Sequence, residues 1–261
     1  MILKPIIPDL SIYPAELRSF ISGAKLYDSS SSKEAQVIFI EKGKGYFLKS
    51  AAKGALEREA QMTRCFHSKG LSAEVLYYLS KERDWLLTEK ISGEDCTAEK
   101  YLAKPERLTD TLAECLAMLH AMDFSDCPVP NHTKDYLVKA QQNKSAGVFN
   151  KRPMPDELSY KSKEEAWSVV EAQGHLLKTD TFLHGDYCLP NIILEDWNFR
   201  GFIDVADAGM GDRHADIFWA TWSLFFYLKT DQYRKRFIDA YGREKVNEDM
   251  LRVIAAAEVF G

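Results

Sequence analysis

The stretch His184-Gly185-Asp186-Tyr187-Cys188-Leu189-Pro190-Asn191 sets an aspartate five residues before an asparagine. At that spacing a carboxylate can accept the proton of a substrate hydroxyl while the amide oxygen holds a cation. Asp204 follows thirteen residues after Asn191, at the end of the apolar run Gly201-Phe202-Ile203. Asn and Asp oxygens are the hard donors that Mg²⁺ prefers. A magnesium ion so held bridges phosphate oxygens and offsets charge in a transition state. Taken singly, Asp186 and Asp204 are ordinary turn residues and Asn191 is an ordinary cap. In this order, between predicted strands, the three point to phosphoryl transfer.

Phosphoryl transfer also calls for a cation on the phosphates. Lys49 ends the strand-like run Tyr46-Phe47-Leu48, and the next predicted helix carries Glu57 and Glu59. Either glutamate can partner the lysine. No G-x-G-x-x-G precedes Lys49. Gly23 and the serine run at 29–32 occupy that place, and the backbone N–H groups of such a loop can contact phosphates.

The elements that must hold these residues follow from periodicity. Val37–Ile40 and Tyr46–Lys49 read as strands joined by a turn at Glu41-Lys42-Gly43-Lys44-Gly45. Asp28 to Ser32 is a polar loop, residues 55–67 a helix, and Val75–Ser80 and Trp85–Glu89 two further strands. Ile91-Ser92-Gly93 breaks the pattern, and the chain then turns mostly helical. Residues 106–121 carry Leu108, Leu112, Leu116 and Leu119 at spacings of four, four and three, one face of a helix. Further helices are predicted over 163–177, 213–229, 231–241 and 247–260. The block between them reads as a loop at 184–186, a strand at 191–194, a turn, and a strand at 201–205. Trp219, Trp222, Phe225 and Phe226 fall at helical spacing and are expected in the core. His67, His132 and His175 are scattered and take a structural reading.

Composition narrows the classes. The 261 residues are 46% hydrophobic and 28% charged, which excludes a mostly disordered chain, a collagen and a coiled coil. With 34 Lys and Arg against 39 Asp and Glu the net charge is −5, so a general nucleic-acid-binding surface is not expected. Residues 1–150 hold 20 basic and 20 acidic side chains, and residues 151–261 hold 14 and 19. An acidic C-terminal part can attract a cationic ligand, though from charge alone a solvated acidic surface is the plainer reading. The five cysteines form no CxxC pair, which indicates neither a zinc site nor a disulfide framework. The longest uncharged apolar stretch, Ile217 to Leu228, is 12 residues, a buried helix and not a membrane span. A soluble, reduced, cytoplasmic protein without a membrane partner is expected.

A series of segments, in order and spacing, resembles the aminoglycoside phosphotransferases, most closely the 3′-phosphotransferases. They are Tyr46-Phe47-Leu48-Lys49, Leu56-Glu57-Arg58-Glu59, Trp85-Leu86-Leu87-Thr88-Glu89, Ala113-Glu114-Cys115-Leu116 with Leu119-His120, Ser125-Asp126-Cys127-Pro128, His184-Gly185-Asp186 and Gly201-Phe202-Ile203-Asp204. The resemblance covers nearly the whole chain. It implies an α+β, bilobal, protein-kinase-like fold: a small antiparallel β-rich N-lobe over 1–91 that binds nucleotide, and a larger, mostly helical C-lobe over 92–261. It implies transfer of the γ-phosphoryl group of ATP, with Mg²⁺, to an aminoglycoside hydroxyl such as the 3′ of kanamycin or neomycin, and hence antibiotic resistance.

By the same resemblance Asp186 is the catalytic base, and Asn191 and Asp204 are magnesium ligands. Lys49 contacts the α- and β-phosphates and pairs with Glu59. Phe47 stacks on adenine, and backbone groups of Glu89 and Ile91 bond its edge. Asp156 and Glu157 match an acceptor-binding loop, Glu258 and Phe260 match the C-terminal part of the acceptor site, and Asp216 adds to that acidic wall. An acidic pocket selects a polycation and speeds its encounter. The chain departs from the family where Asp-x-Gly-Arg-x-Gly-x-x-Asp is usual. It reads Asp204-Val205-Ala206-Asp207-Ala208-Gly209-Met210-Gly211-Asp212, so Asp207 reverses a charge beside bound phosphates. Gly261 also follows Phe260. Two alternatives stand beside this reading: a kinase-like enzyme acting on another small cationic alcohol, and a nucleotide-binding protein with weak or lost catalysis.

Overall fold

The computed structural model describes residues 4–7, 9–30 and 35–261. Ser31 and Ser32 of the serine run lie outside the described residues. By packing, the chain divides into two units: residues up to Ser92 together with Arg200–Ala206, and Gly93–Phe199 together with Asp207–Gly261.

The first unit is built on strands β1 (Lys4–Ile6), β2 (Lys25–Asp28), β3 (Ala35–Glu41), β4 (Tyr46–Ala52), β5 (Val75–Ser80) and β6 (Arg83–Glu89), with helices α1 (Arg18–Ile21) and α2 (Glu57–Ser68). The strands form one sheet in the order β1-β2-β3-β4-β6-β5, antiparallel at every pairing. Side chains alternate across a strand. One face therefore buries Leu26, Ile38, Ile40, Leu48 and Leu87 against Tyr13, Leu17 and Ile21. A smaller cluster of Ala51, Leu56, Ala60 and Leu86 seats α2. The β3–β4 turn runs through Gly43 at φ 57° and Gly45 at φ 87°, left-handed backbone that glycine takes without steric cost.

The second unit carries β7 (Glu94–Asp95), α3 (Glu99–Leu102), α4 (Pro105–His120), α5 (His132–Ser145), α6 (Lys163–Gln173), β8 (Thr181–Leu183) and β9 (Ile192–Glu195). The chain passes through β10 (Asn198–Phe202) and returns as β11 (Gly209–Gly211), α7 (His214–Leu228), α8 (Arg234–Tyr241) and α9 (Glu248–Glu258). Leu108, Leu112, Leu116 and Leu119 are all buried along α4, as their spacing requires. β8 pairs with β11 and β7 with β9, both antiparallel. Ala140, Ala166, Val170, Ala256 and Val259 form a core between α5, α6 and the C-terminal segment.

Three expectations are corrected. The strand predicted over 201–205 ends at Phe202, because Asp204 takes a left-handed φ of 54° and a 3-10 turn, Val205–Asp207, follows. The helix predicted over 163–177 ends at Gln173 and gives way to a 3-10 turn. Trp219, Trp222, Phe225 and Phe226 are half-buried and not core. No helix among the described residues is long and apolar enough to cross a membrane.

Candidate functional site

In the first unit the site is built on β4 and α2. Leu48 points into the core, so Lys49 points to the opposite face of the sheet. Its Nζ lies 2.8 Å from Glu59 Oε2 and 3.2 Å from Asp204 Oδ1. Burial opposes the ammonium charge, but Asp204 and Glu59 outweigh it and hold the lysine above its ordinary value. Of the two glutamates on α2, Glu57 is exposed while Glu59 lies on the buried face with Ala60, Met62 and Thr63. That face is aimed by Asp84, which is fully buried and accepts the Leu56 N–H at 3.0 Å and the Tyr78 hydroxyl at 3.1 Å. A buried carboxylate bonding the amide just before a helix anchors that helix's N-terminal end.

Phe47 is half-buried at the end of a cross-strand aromatic row, 5.2 Å from Phe39, which in turn stands 6.1 Å from Tyr27. The N–H of Glu89 is already given to the Glu74 carbonyl at 3.1 Å, so any bond its backbone makes to an adenine edge falls to its carbonyl. Ile91 is half-buried in the segment that follows β6.

In the second unit the loop between β8 and β9 is knit by a series of hydrogen bonds. The Asp186 carbonyl and Oδ2 each accept from Asn191 Nδ2 at 2.9 Å. With its NH₂ turned inward, Asn191 keeps its carbonyl end for a cation. His184 is fully buried, and its Nδ1 accepts the Asp186 N–H at 3.3 Å. Tyr187 donates its hydroxyl to the Leu112 carbonyl at 2.8 Å, and Leu189 N–H donates to Ser223 Oγ at 2.9 Å. Gly185 sits at φ 85°, and a Cβ there would lie 2.0 Å from the Asp207 carbonyl oxygen. The Asp207 residue itself is exposed.

Asp216 does not belong to an acidic wall facing a substrate. It is fully buried on the first turn of α7, accepting the His184 N–H at 2.7 Å and the Gly185 N–H at 2.8 Å. His120 Nε2 lies 3.1 Å from its Oδ2, and His120 Nδ1 lies 2.8 Å from the Tyr241 hydroxyl. Burial opposes the Asp216 charge, but His120 and the partners at His184 win and hold the carboxyl below its ordinary value. Asp216 is a positioning residue that hangs the Asp186 loop from α7. The Leu119-His120 segment was visible in the sequence, and its role was not.

Phe260 is also corrected: its side chain is fully buried, edge-on to Trp167 at 5.6 Å, and its carbonyl accepts from Asn143 at 2.7 Å. That ring is part of the core between α5, α6 and the C-terminal segment. Glu258 is buried as well. Its Oε1 accepts the Tyr136 hydroxyl at 3.0 Å, and its Oε2 lies 3.4 Å from Arg152 Nη1. Burial pushes its carboxyl up to about 7, against the pull of Arg152, Tyr136 and Lys139, while the Asp186 carboxylate adds to the rise. Asp156 and Glu157 are exposed on a 3-10 turn, Asp156–Leu158, that Leu158 anchors in the core, and Glu157 lies 3.2 Å from Arg234. Arg152 and Tyr136 were not singled out by sequence reasoning, since nothing in their spacing marks them.

The donors fit a magnesium ion in kind. Asp204 offers a half-exposed carboxylate and Asn191 an amide oxygen. Among the described residues no group of three or more His, Cys, Asp or Glu is gathered for a metal. Magnesium usually takes only one or two protein carboxylates and fills its shell with phosphates and water.

A lysine–glutamate–aspartate set on a β-rich unit and an Asp–Asn loop on a helical one define a phosphoryl-transferring class of enzyme. The chain belongs to the phosphotransferase enzyme family, whose model matches residues 29–254. It is 48% identical over 260 residues to a probable aminoglycoside 3′-phosphotransferase of Lactococcus lactis, covering 99% of each chain. Its fold is that of an aminoglycoside 3′-phosphotransferase of type VIII, with a TM-score of 0.76 at 24% identity, covering 94% of this chain and 97% of the other. An aminoglycoside phosphotransferase from Streptomyces rimosus, in complex with ADP and streptomycin, matches with a TM-score of 0.73 at 19% identity over 97% of this chain and 99% of that one. The α+β, kinase-like fold expected from the resemblance is the one found.

Proposed function

We propose that this phosphotransferase moves the γ-phosphoryl group of ATP to a hydroxyl of an aminoglycoside, the 3′ hydroxyl foremost. The observation that carries the reading is the construction around Asp186. Its carboxylate is clamped by Asn191, and its loop is hung from the buried Asp216. A base so fixed can orient an acceptor hydroxyl and take its proton as the phosphoryl group arrives. Lys49, held by Glu59, is the cation for the α- and β-phosphates, and Phe47, Glu89 and Ile91 serve the adenine. The nucleotide belongs to the lobe over 1–91 and the acceptor to the lobe over 92–261.

Asn191 and Asp204 each carry an oxygen donor suited to Mg²⁺, which when bound offsets phosphate charge. Asp156, Glu157 and Glu258 are the carboxylates for the acceptor's ammonium groups. Similarity to a probable aminoglycoside 3′-phosphotransferase and to the Streptomyces protein complexed with ADP and streptomycin supports this acceptor and this nucleotide. Use of ATP and five free cysteines support a reducing, cytoplasmic setting.

A second reading has its own observation. Asp207 puts an exposed carboxylate where the family usually has arginine, with its backbone pressed against Gly185. Weak or lost transfer, with ATP still bound, is what that charge would produce.

Magnesium-dependent ADP release with and without kanamycin decides between them. Stimulation by kanamycin, reduced at least about 100-fold in Asp186→Ala, is the expected result. ATP binding without stimulation moves the assignment to another small cationic alcohol or to a non-catalytic protein. Stimulation that survives the substitution removes Asp186 as the base.

A further inference from the structure

A cation site in the second unit is filled by one of the chain's own side chains. Arg152 lies between α5 and the 3-10 turn at Asp156–Leu158, in a stretch without regular structure. Its guanidinium carbon stands 4.7 Å from the Trp219 ring centroid and 5.9 Å from that of Trp222. Its Nη1 is 3.4 Å from Glu258 Oε2, and its Nη2 reaches the Gly261 carbonyl at 3.5 Å. Trp222 Nε1 donates to the Pro153 carbonyl at 2.8 Å, pinning the next residue to the same indole. Two indole rings and a carboxylate are the surroundings a partly desolvated cation favours.

This arrangement bears on the acceptor. The Glu258 side chain is only 6% exposed and that of Arg152 15%. An ammonium group arriving from solution finds the carboxylate covered. The cover is lightly held: the ion pair is long at 3.4 Å, and the fastening at Pro153 is a single hydrogen bond from a half-buried indole. A polycation brings several charges against one guanidinium, and the exposed Asp156, four residues on in the chain, is there to receive another.

We propose that Arg152 is an internal stand-in for an ammonium group of the acceptor, displaced from Glu258 and the Trp219 and Trp222 rings as the acceptor binds, and that it thereby sets which acceptors bind tightly. The proposal rests on the acceptor reading above. Displacement exchanges one cation for another at an unchanged carboxylate, so no covalent bond is made or broken. The cost of lifting the guanidinium is charged to every acceptor. Only those with a well-placed ammonium recover it, which makes Arg152 a specificity-determining residue.

The test is steady-state kinetics with kanamycin at saturating ATP and fixed ionic strength. The pH is 8.5, chosen because Tyr136 and Lys139 from α5, Arg152, and Asp186 from the loop all face Glu258. Arg152→Gln should lower KM for kanamycin about threefold or more, with kcat changing less than KM. Arg152→Lys, which keeps a cation there, should hold KM near that of the unaltered enzyme. Glu258→Gln should raise KM about tenfold, and in the double variant the change at 152 should no longer lower it. An Arg152→Gln KM that is unchanged or raised overturns the proposal, as does a drop in KM that persists without Glu258. If the unaltered enzyme shows no kanamycin-stimulated ADP release, the acceptor reading falls and takes this proposal with it. Stimulated release with an indifferent Arg152 refutes the proposal alone.

Discussion

The position of Asp186 is set by its neighbour, a residue without a side chain. Gly185 holds φ at 85°, and a Cβ there would sit 2.0 Å from the Asp207 carbonyl oxygen and 2.3 Å from its carbonyl carbon. Both obstacles are backbone, which cannot rotate away as a side-chain tip can. A methyl group must push the loop off Asp207, and Asp186 is the next residue along. A misplacement of about 1 Å costs an enzyme on the order of 100-fold. Gly185→Ala should therefore fold and lose about 100-fold or more in kcat, read in the ADP-release assay with circular dichroism confirming the fold. Retention of activity within a few-fold would mean that Asp186 does not need the position it has here. Asp204 shows the opposite choice. It is not glycine, yet it takes φ 54°, at about 1–2 kcal/mol of strain. The carboxylate this sets 3.2 Å from Lys49 is a function that glycine lacks.

At the scale of elements, α7 positions the loop through one side chain. Asp216 on its first turn accepts two backbone amides, one on each oxygen, and α4 reaches the same carboxylate through His120. Hydrogen bonds to a charged group contribute about 1.5–3 kcal/mol each. Asn at 216 can accept on only one atom and turns a donor toward the other amide. Asp216→Asn should lose on the order of 3 kcal/mol in urea unfolding, with kcat falling more than KM rises. A stable variant with normal kcat would sink the positioning role. Asp216 also shows where sequence reading stops. Its carboxylate is expected in the acidic wall of the acceptor site, because neither spacing nor composition reveals that a helix turns it inward onto two amides. By contrast, α4 was legible because Leu108, Leu112, Leu116 and Leu119 must share a face, and β3 to β6 because their alternation suits one buried side. α5 went unread because its buried residues are only His132, Thr133 and Ala140. The strands β8 and β11, three residues each, are too short to carry a period. The Asp–Asn spacing was legible in the loop since the chemistry is local. The choice of Glu59 over Glu57 by Lys49, and Arg152 beneath two tryptophans, depend on packing between segments distant in sequence.

Across the whole molecule, buried carboxylates make stability depend on pH in two opposed ways. Asp212 and Asp216 are held below their ordinary values, against burial, by their hydrogen bonds and histidine neighbours. Their contribution is present above the unfolded value and is lost as pH falls through the folded one. Glu258 runs the other way. It lies in α9, packed against α5, α6 and α7, and burial raises its carboxyl from 4.5 to about 7. Below the unfolded value both states hold the proton. As pH rises from 4.5 toward 7 the unfolded chain ionises while the folded one resists, so this contribution is lost across that window. The shift corresponds to on the order of 3 kcal/mol. Gln at 258 has no proton to lose, so Glu258→Gln should not share the decline. Urea unfolding of both proteins at about pH 5 and pH 8 should show the stability of the unaltered protein, relative to the variant, falling by up to about 3 kcal/mol. Parallel pH curves would mean that Arg152, Tyr136 and Lys139 offset burial in full and that Glu258 is ionised throughout. In that case the same carboxylate would bind a displacing ammonium equally well at pH 6 and pH 8, and the KM for a polycationic acceptor would lose any pH dependence arising from Glu258.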